Sequence, residues 1–241
     1  MSTRGNRVSA STGVAQTAPQ LFCQLIAAGL GDTDLRRIRD ACTMAVHDTL
    51  HLVRGSGKPF SCHLVGVASL VLEVTQEADL VVAALLHATY QPRVSGGSND
   101  ASSNTRETLQ ATLGTTVEHL LHAYQTAGPL LPVAAPVSAE GIERAVRILQ
   151  LADLLEDGLD GGPWWHGIAD DDDNVKGGAG QRVSQLRESA ALFAQAPALG
   201  AGSLLNRYEA VLAEWDQGVW PACLRSGRYS TYKPAADATS A

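Results

Sequence analysis

Four cysteines, at positions 23, 42, 62 and 223, are too few and too scattered for a disulfide framework, and no two of them form a CxxC pair. The expectation is a reduced, cytoplasmic compartment without disulfides. An excess of basic charge is also missing. Lys and Arg number 18 against 25 Asp and Glu, for a formal net charge of −7. A general nucleic-acid surface needs clustered cations that dominate the local field, so no nucleic-acid partner is expected, although a single nucleotide still fits a local pocket. Long apolar runs are absent too. Thr, Glu or His interrupts each candidate before the roughly 18 residues a membrane span requires, so no membrane partner is expected. The first eighteen residues, rich in Ser, Thr, Gly and Ala, lack the apolar run of a secretory signal and are expected to form a disordered leader. No segment alternates polar and apolar residues long enough to predict a sheet, and there is no internal repeat.

What is present is helical periodicity, from about Pro19 through most of the chain, so the predicted class is all-α. Asp32 or Thr33 is the expected cap of a helix with apolar positions Leu35, Ile38, Cys42, Ala45, Thr49 and Leu52. Gly55, Gly57 and Pro59 then break the chain before a helix from about Phe60 to Leu72. The next helix, about Glu77 to Tyr90, is apolar on nearly every side and is expected at the centre. Residues 92–105, rich in Ser, Gly and Asn, read as a loop. Helices near Glu107 and Thr116 are separated by Gly114. A helix of about Ala139 to Glu156 carries the stripe Ile142, Ala145, Val146, Leu149, Ala152 and Leu155. Two further helices are expected near 182–196 and 203–216. The organisation is a leader over 1–18, one domain over 19–217 and a tail over 218–241.

Three polar residues sit in apolar surroundings on three different predicted helices: His63, His87 and Asp153. A buried imidazole or carboxylate needs a hydrogen-bond partner or a metal, since an unpaired buried carboxylate costs several kcal/mol or takes up a proton. Histidines bonded to backbone carbonyls are the plainer reading of the first two. His119 and His122, spaced i, i+3, are weaker ligand candidates, because such pairs also occur on ordinary helix surfaces. His47 and His51 lie off the apolar face and are expected at the surface. Asp157 and Asp160 follow Asp153 by one and two turns, where they touch a substrate or face solvent. Trp164, Trp165 and His166 either cover a core or close a pocket. Asp170–Asp173 lacks the spacing of a calcium loop and reads as a solvated charge run.

The stretch Val53-Arg-Gly-Ser-Gly-Lys-Pro-Phe-Ser-Cys-His63 resembles the opening of the hydrolase domain of RelA/SpoT-type alarmone enzymes, members of the HD superfamily, in which an Arg-x-Ser-Gly loop leads to the first metal histidine. Ala83-Ala-Leu-Leu-His87 resembles that family's His-Asp helix, and Leu151-Ala-Asp153 its distal Leu-Ala-Asp motif. The resemblance covers roughly residues 40–160 and implies an HD-domain-like helical bundle. It implies His63, His87 and Asp153 as metal ligands and Arg54 as a substrate contact. The sequence also departs from the family. Ala88 stands where the HD aspartate belongs, Gln91 and Pro92 replace the Glu-Asp pair that serves the attacking water, and Leu64 replaces a proline. Alarmone hydrolysis by the usual mechanism is therefore not expected. The runs around Leu86–Tyr90 and Val117–Tyr124 look more like uncharacterised HD-like bacterial proteins, for which the resemblance carries fold but no reaction.

Two imidazoles and one carboxylate leave coordination positions open and suit a divalent Fe, Mn or Zn ion. The leading expectation is a metal-dependent enzyme acting on a small polar metabolite, with phosphorylated and nucleotide-like molecules in that class, and with Arg54 and Asp157 at the substrate. A variant of it is an Fe(II)-dependent oxygenase. The rival is a non-catalytic HD-like binding or scaffold protein, favoured by the missing acids at 88, 91 and 92.

Overall fold

The structure, a computed structural model, describes residues 13–54, 58–91, 103–127, 141–159, 189–217 and 233–234. Its described residues are mostly helical, as the periodicity predicts. The elements are α1 (Ala18–Ala27), α2 (Asp32–Thr49), β1 (Leu52–Val53), α3 (Phe60–Leu72), α4 (Ala78–Leu86), α5 (Ser103–Leu113), α6 (Thr115–Thr126) and α7 (Gly141–Leu159). A short α8 (Ala190–Phe193), a 3₁₀ turn at Ala196–Leu199, α9 (Gly202–Gln217) and β2 (Lys233–Pro234) follow. Among the described residues, no helix is long and apolar enough to cross a membrane.

The centre of the bundle is the α3–α4 pair. From His63 to Val71 every residue of α3 is buried, and so is every residue of α4 from Leu80 to Leu86. Helices apolar on all sides belong inside a helical layer rather than on its surface, and the neighbours supply that layer. α1, α2 and α7 pack on α3, while α2 and α6 pack on α4. Phe60, Leu64, Leu70, Leu80 and Leu85, each at most 2 % exposed, fill the space between them. Each such side chain contributes about 1.5–3 kcal/mol through removal of its apolar surface from water.

Glycine breaks the chain where expected between α5 and α6: Gly114 has φ 91°, a conformation most side chains avoid. The cap of α2 is shifted. Gly31 occupies the capping position and Asp32 is the first helical residue, so Asp32 and Asp34 act on the positive end of the helix through charge rather than as caps. In α7 the predicted stripe is buried from Ala145 to Leu155, but Ile142 is 45 % exposed.

The expected leader extends too far. Ala15 is buried, its N–H donates to Ser69 Oγ on α3 at 3.0 Å, and Gln24 holds the Gly13 carbonyl at 2.9 Å. The segment from Gly13 therefore packs on the core, because α3 presents a buried hydroxyl that needs partners. The loop predicted over 92–105 is likewise shorter, since α5 begins at Ser103. The expected tail contributes Lys233–Pro234, which pairs antiparallel with Leu52–Val53. Residues 1–12, 92–102, 182–188 and most of 218–241 lie outside the described residues, as do Asp160, Trp164, Trp165, His166 and Asp170–Asp173.

Candidate metal centre

Three helices deliver three donors to one place. His63 lies one turn into α3, His87 caps the C-terminal end of α4, and Asp153 lies in the second half of α7. Both imidazoles are 2 % exposed, and the Asp153 side chain is 29 % exposed. Asp153 Oδ1 is 3.1 Å from His63 Nε2 and 3.5 Å from His87 Nε2. All three donors lie within 4.8 Å of one another. The set that separate sequence motifs suggest is thus a single cluster.

The other side of each group is engaged. His87 Nδ1 is 2.8 Å from the Ala84 carbonyl, which only accepts, so Nδ1 carries a proton and donates it. His63 Nδ1 donates to Glu156 Oε2 at 2.5 Å. Tyr124 Oη donates to Asp153 Oδ2 at 2.6 Å, and the Tyr124 ring lies edge-on to His87, 5.4 Å between centroids. Glu156, itself fully buried, also accepts from Lys58 Nζ, and Arg54 bonds Asp157. The α3–α7 approach that allows this is close. A Cβ on Gly66 would stand 2.6 Å from Glu156 Oε1, so a glycine is needed opposite that carboxylate.

The electrostatics follow from these contacts. Burial and Arg54 work against a charged His63, yet Glu156 and Asp153 overcome them and raise its pKa to about 9. Burial, together with the positive charge on His63, lowers the pKa of His87 and favours its neutral form despite Asp153. Burial opposes ionisation of Asp153, but His87, His63 and the Tyr124 hydroxyl together hold it well below the usual carboxylate range. Burial likewise opposes ionisation of Glu156, and His63, Lys58 and Arg54 lower its pKa in spite of it. Burial and Asp153 push the Tyr124 hydroxyl far up, so it stays a donor.

A neutral His87 with its proton on Nδ1 directs the Nε2 lone pair toward a carboxylate oxygen. Two acceptors facing each other at 3.5 Å are favourable only with a positive centre between or beside them. The charged His63 ring, 3.1 Å from the same oxygen, meets that need, and a divalent ion would meet it in place of the His63 proton. Ligands about 2.0–2.2 Å from a tetrahedral metal are separated by about 3.3–3.6 Å; the His87–Asp153 separation, 3.5 Å, falls in that range, and the His63–Asp153 separation, 3.1 Å, is that of a direct hydrogen bond. The outer bonds from Ala84, Glu156 and Tyr124 are of the kind that orient metal ligands.

The remaining candidates are distributed differently. Arg54 is not an exposed loop arginine: its side chain is 4 % exposed and it pairs with Asp157, whose side chain is 21 % exposed at the edge of the cluster. His119 is exposed and belongs to no group of converging donors among the described residues. His122 lies edge-on to Tyr90, 6.5 Å away, and is equally outside those groups. His47 and His51 are exposed, as expected. Ala88, which the resemblance sets at the HD aspartate's place, is buried.

Sequence reasoning missed three participants: Glu156, Lys58 and Tyr124. Glu156 is next to Asp157 in a run of acids and carries no motif of its own; its signal is the Gly66 that faces it. A second buried carboxylate, Glu118 on α6, also went unread. It accepts from Arg106, Gln110 and Tyr90 at 2.5–3.0 Å, which ties α5 and the end of α4 to α6.

A family described as a domain of unknown function (DUF6817) matches residues 47–127. That third of the chain contains Arg54, His63 and His87, whereas Asp153, Glu156 and Asp157 lie beyond it. No curated protein matches the chain.

Proposed function

We propose that this protein is a metal-dependent enzyme of the HD superfamily that acts on a small polar metabolite, with His63, His87 and Asp153 as the ligands of one divalent Fe, Mn or Zn ion. The observation that carries this reading is the direction of the His87 ring: its Nδ1–H is committed to Ala84, so Nε2 is the ring nitrogen that faces Asp153 Oδ1. When bound, such an ion supplies Lewis-acid polarisation of a phosphoryl or carbonyl oxygen, or in the Fe(II) variant of this proposal an oxygen-reactive centre.

The chain's own residues position and limit that chemistry. His63 is aimed by Glu156, His87 by Ala84 and Asp153 by Tyr124. The cluster is walled by buried residues of α3 and α4, and its more exposed members are Asp153 and Asp157, so a substrate approaches from α7. Arg54 and Asp157 then serve as a unit, with Arg54 fixing the carboxylate that meets the substrate's polar groups. The acids missing at 91 and 92 support a reaction other than ordinary alarmone hydrolysis, because no carboxylate at those positions is there to accept a proton from water.

A non-catalytic binding module remains the second reading, favoured by one specific observation. With His63 charged, Glu156, Lys58, Asp153 and His63 neutralise one another without any ion. Metal content by mass spectrometry on chelator-free protein, beside His63→Ala and Asp153→Ala, separates the two. Near-stoichiometric metal that is lost in both variants supports the enzyme, and phosphate release against oxygen consumption then separates hydrolase from oxygenase. A folded wild type that neither contains nor takes up metal leaves the binding module.

A further inference from the structure

Two cysteines that are separate in the sequence line one cavity. Cys42 comes from the middle of α2 and Cys62 from the first turn of α3, and both border a space of about 220 Å³ that the start of α1 also lines. Cys42 is 6 % exposed, Cys62 is half-buried, and both are thiols. Packed interiors leave few voids larger than a water molecule. Open space beside two thiols is therefore more than core packing requires.

The rest of the lining decides what that space can hold. Ala45, Val46, Val65 and Leu85 make it apolar, and among the described residues no carboxylate, imidazole, ammonium or guanidinium borders it. A hard cation has no charged oxygen to meet there, whereas paired sulfur donors select a soft ion such as Cu(I). Charge is the second constraint. Two thiolates around a monovalent cation carry one net negative charge, which an apolar cavity resists unless it is offset. Two helices begin at its edge: Thr17 and Ala18 are the cap and first residue of α1, and Ser61 and Cys62 belong to the first turn of α3. Each helix start carries about half a positive charge, so the pair offsets about one negative charge. A divalent ion on the same two thiolates is already neutral and gains nothing from those helix ends.

We propose that Cys42 and Cys62 form a two-thiolate site for one soft monovalent cation, Cu(I), separate from His63, His87 and Asp153. The inference does not rest on the metal reading above, since it shares no donor with it. On binding, each thiol gives its proton to solvent and a sulfur lone pair to the ion, as coordinating thiols do; no electron is transferred. Cys62, the more exposed of the two, is the point of entry, and Cys42 closes the site from the α2 side.

The test uses the full chain carrying Cys23→Ser and Cys223→Ser, so that Cys42 and Cys62 are its remaining thiols. Cu(I) is titrated without oxygen against the chromogenic chelator bicinchoninate, and X-ray absorption of the loaded protein counts the sulfurs on the ion. The expected result is one Cu(I) per chain held by two sulfurs, and loss of that ion on adding either Cys42→Ser or Cys62→Ser. Failure to capture Cu(I) from the chelator, a single sulfur on the ion, or an ion kept by either folded variant overturns the proposal. Circular dichroism monitors folding, and if Cys42→Ser does not fold, the sulfur count together with Cys62→Ser decides by the same outcomes.

Discussion

The Tyr124 hydroxyl occupies one oxygen of Asp153, leaving the other, Oδ1, to face both His63 and His87. In the proposed site that division would make Asp153 a one-oxygen donor, its carboxylate plane fixed by a bond from outside the ligand set. Tyr124→Phe removes the hydroxyl and keeps the ring against His87. Metal affinity is expected to fall about 10–100-fold, and unfolding free energy by about 1 kcal/mol. Isothermal titration with Zn²⁺ beside urea denaturation measures both. Unchanged affinity in a folded variant would show that the hydroxyl plays no part in aiming Asp153.

Gly66 faces Glu156 across the α3–α7 contact, and a Cβ there would lie 2.6–2.9 Å from three atoms of that side chain. In an unconstrained helix interior, Gly→Ala stabilises by about 0.5–1 kcal/mol. Here the sign is expected to reverse. Glu156 is buried and held by His63 and Lys58, so it has nowhere inexpensive to go, and Gly66→Ala is expected to cost about 1–3 kcal/mol. Urea denaturation of wild type and variant decides it, and a Gly66→Ala variant more stable than wild type would mean that α3 and α7 stand further apart.

The helices were legible because their signals are local. Phe60–Leu72 is bounded by Pro59 and an apolar run, and the α5–α6 break is marked by Gly114. The three proposed ligands were legible for another reason: each polar residue interrupts a buried apolar stretch, which local pattern exposes. Their partners were not. Nothing in the local sequence of Glu156 tells it from Asp157, and only the packing of α7 against Gly66 makes one fully buried and leaves the other partly exposed. Arg54 reads as a loop residue for the same reason, since its burial depends on an acid 103 positions away. Ala15 looks like part of a polar leader because its partner, Ser69, lies on a distant helix.

Glu118 gives the fold a dependence on acid. Arg106 donates to it, and with Gln110 and Tyr90 this outweighs burial and lowers its pKa to about 2, from an ordinary 4.5. A folded-state pKa below the unfolded value stabilises fully above the unfolded pKa, and the contribution is lost as pH falls from about 4.5 toward 2. Glu118→Gln removes the charge at all pH values. It is expected to be less stable than wild type by about 2 kcal/mol at pH 7, with Arg106 left facing a neutral amide. The gap should narrow steadily below about pH 4.5. Parallel denaturation series from about pH 7 to about pH 3 read it, and a gap that stays constant would mean that the Glu118 carboxyl titrates alike in the folded and unfolded chain.

Cys42 and Cys23 should differ in reactivity because the fold treats them differently. Cys42 is buried, and burial pushes its thiol from 9.0 up to about 11, whereas Cys23 is exposed on α1. The attacking species is the thiolate, so a rise of that size leaves about a hundredfold less of it at about pH 8, before any loss of access is counted. Iodoacetamide followed by peptide mapping should therefore label Cys23 quickly in the native protein and Cys42 only slowly. Cys42 should reach the rate of Cys23 when α2 is released from the core in denaturant. The ratio of the two rates, followed through the denaturant transition, then reports the opening of α2 directly, and equal rates in native buffer would place Cys42 at the surface and α2 off the bundle.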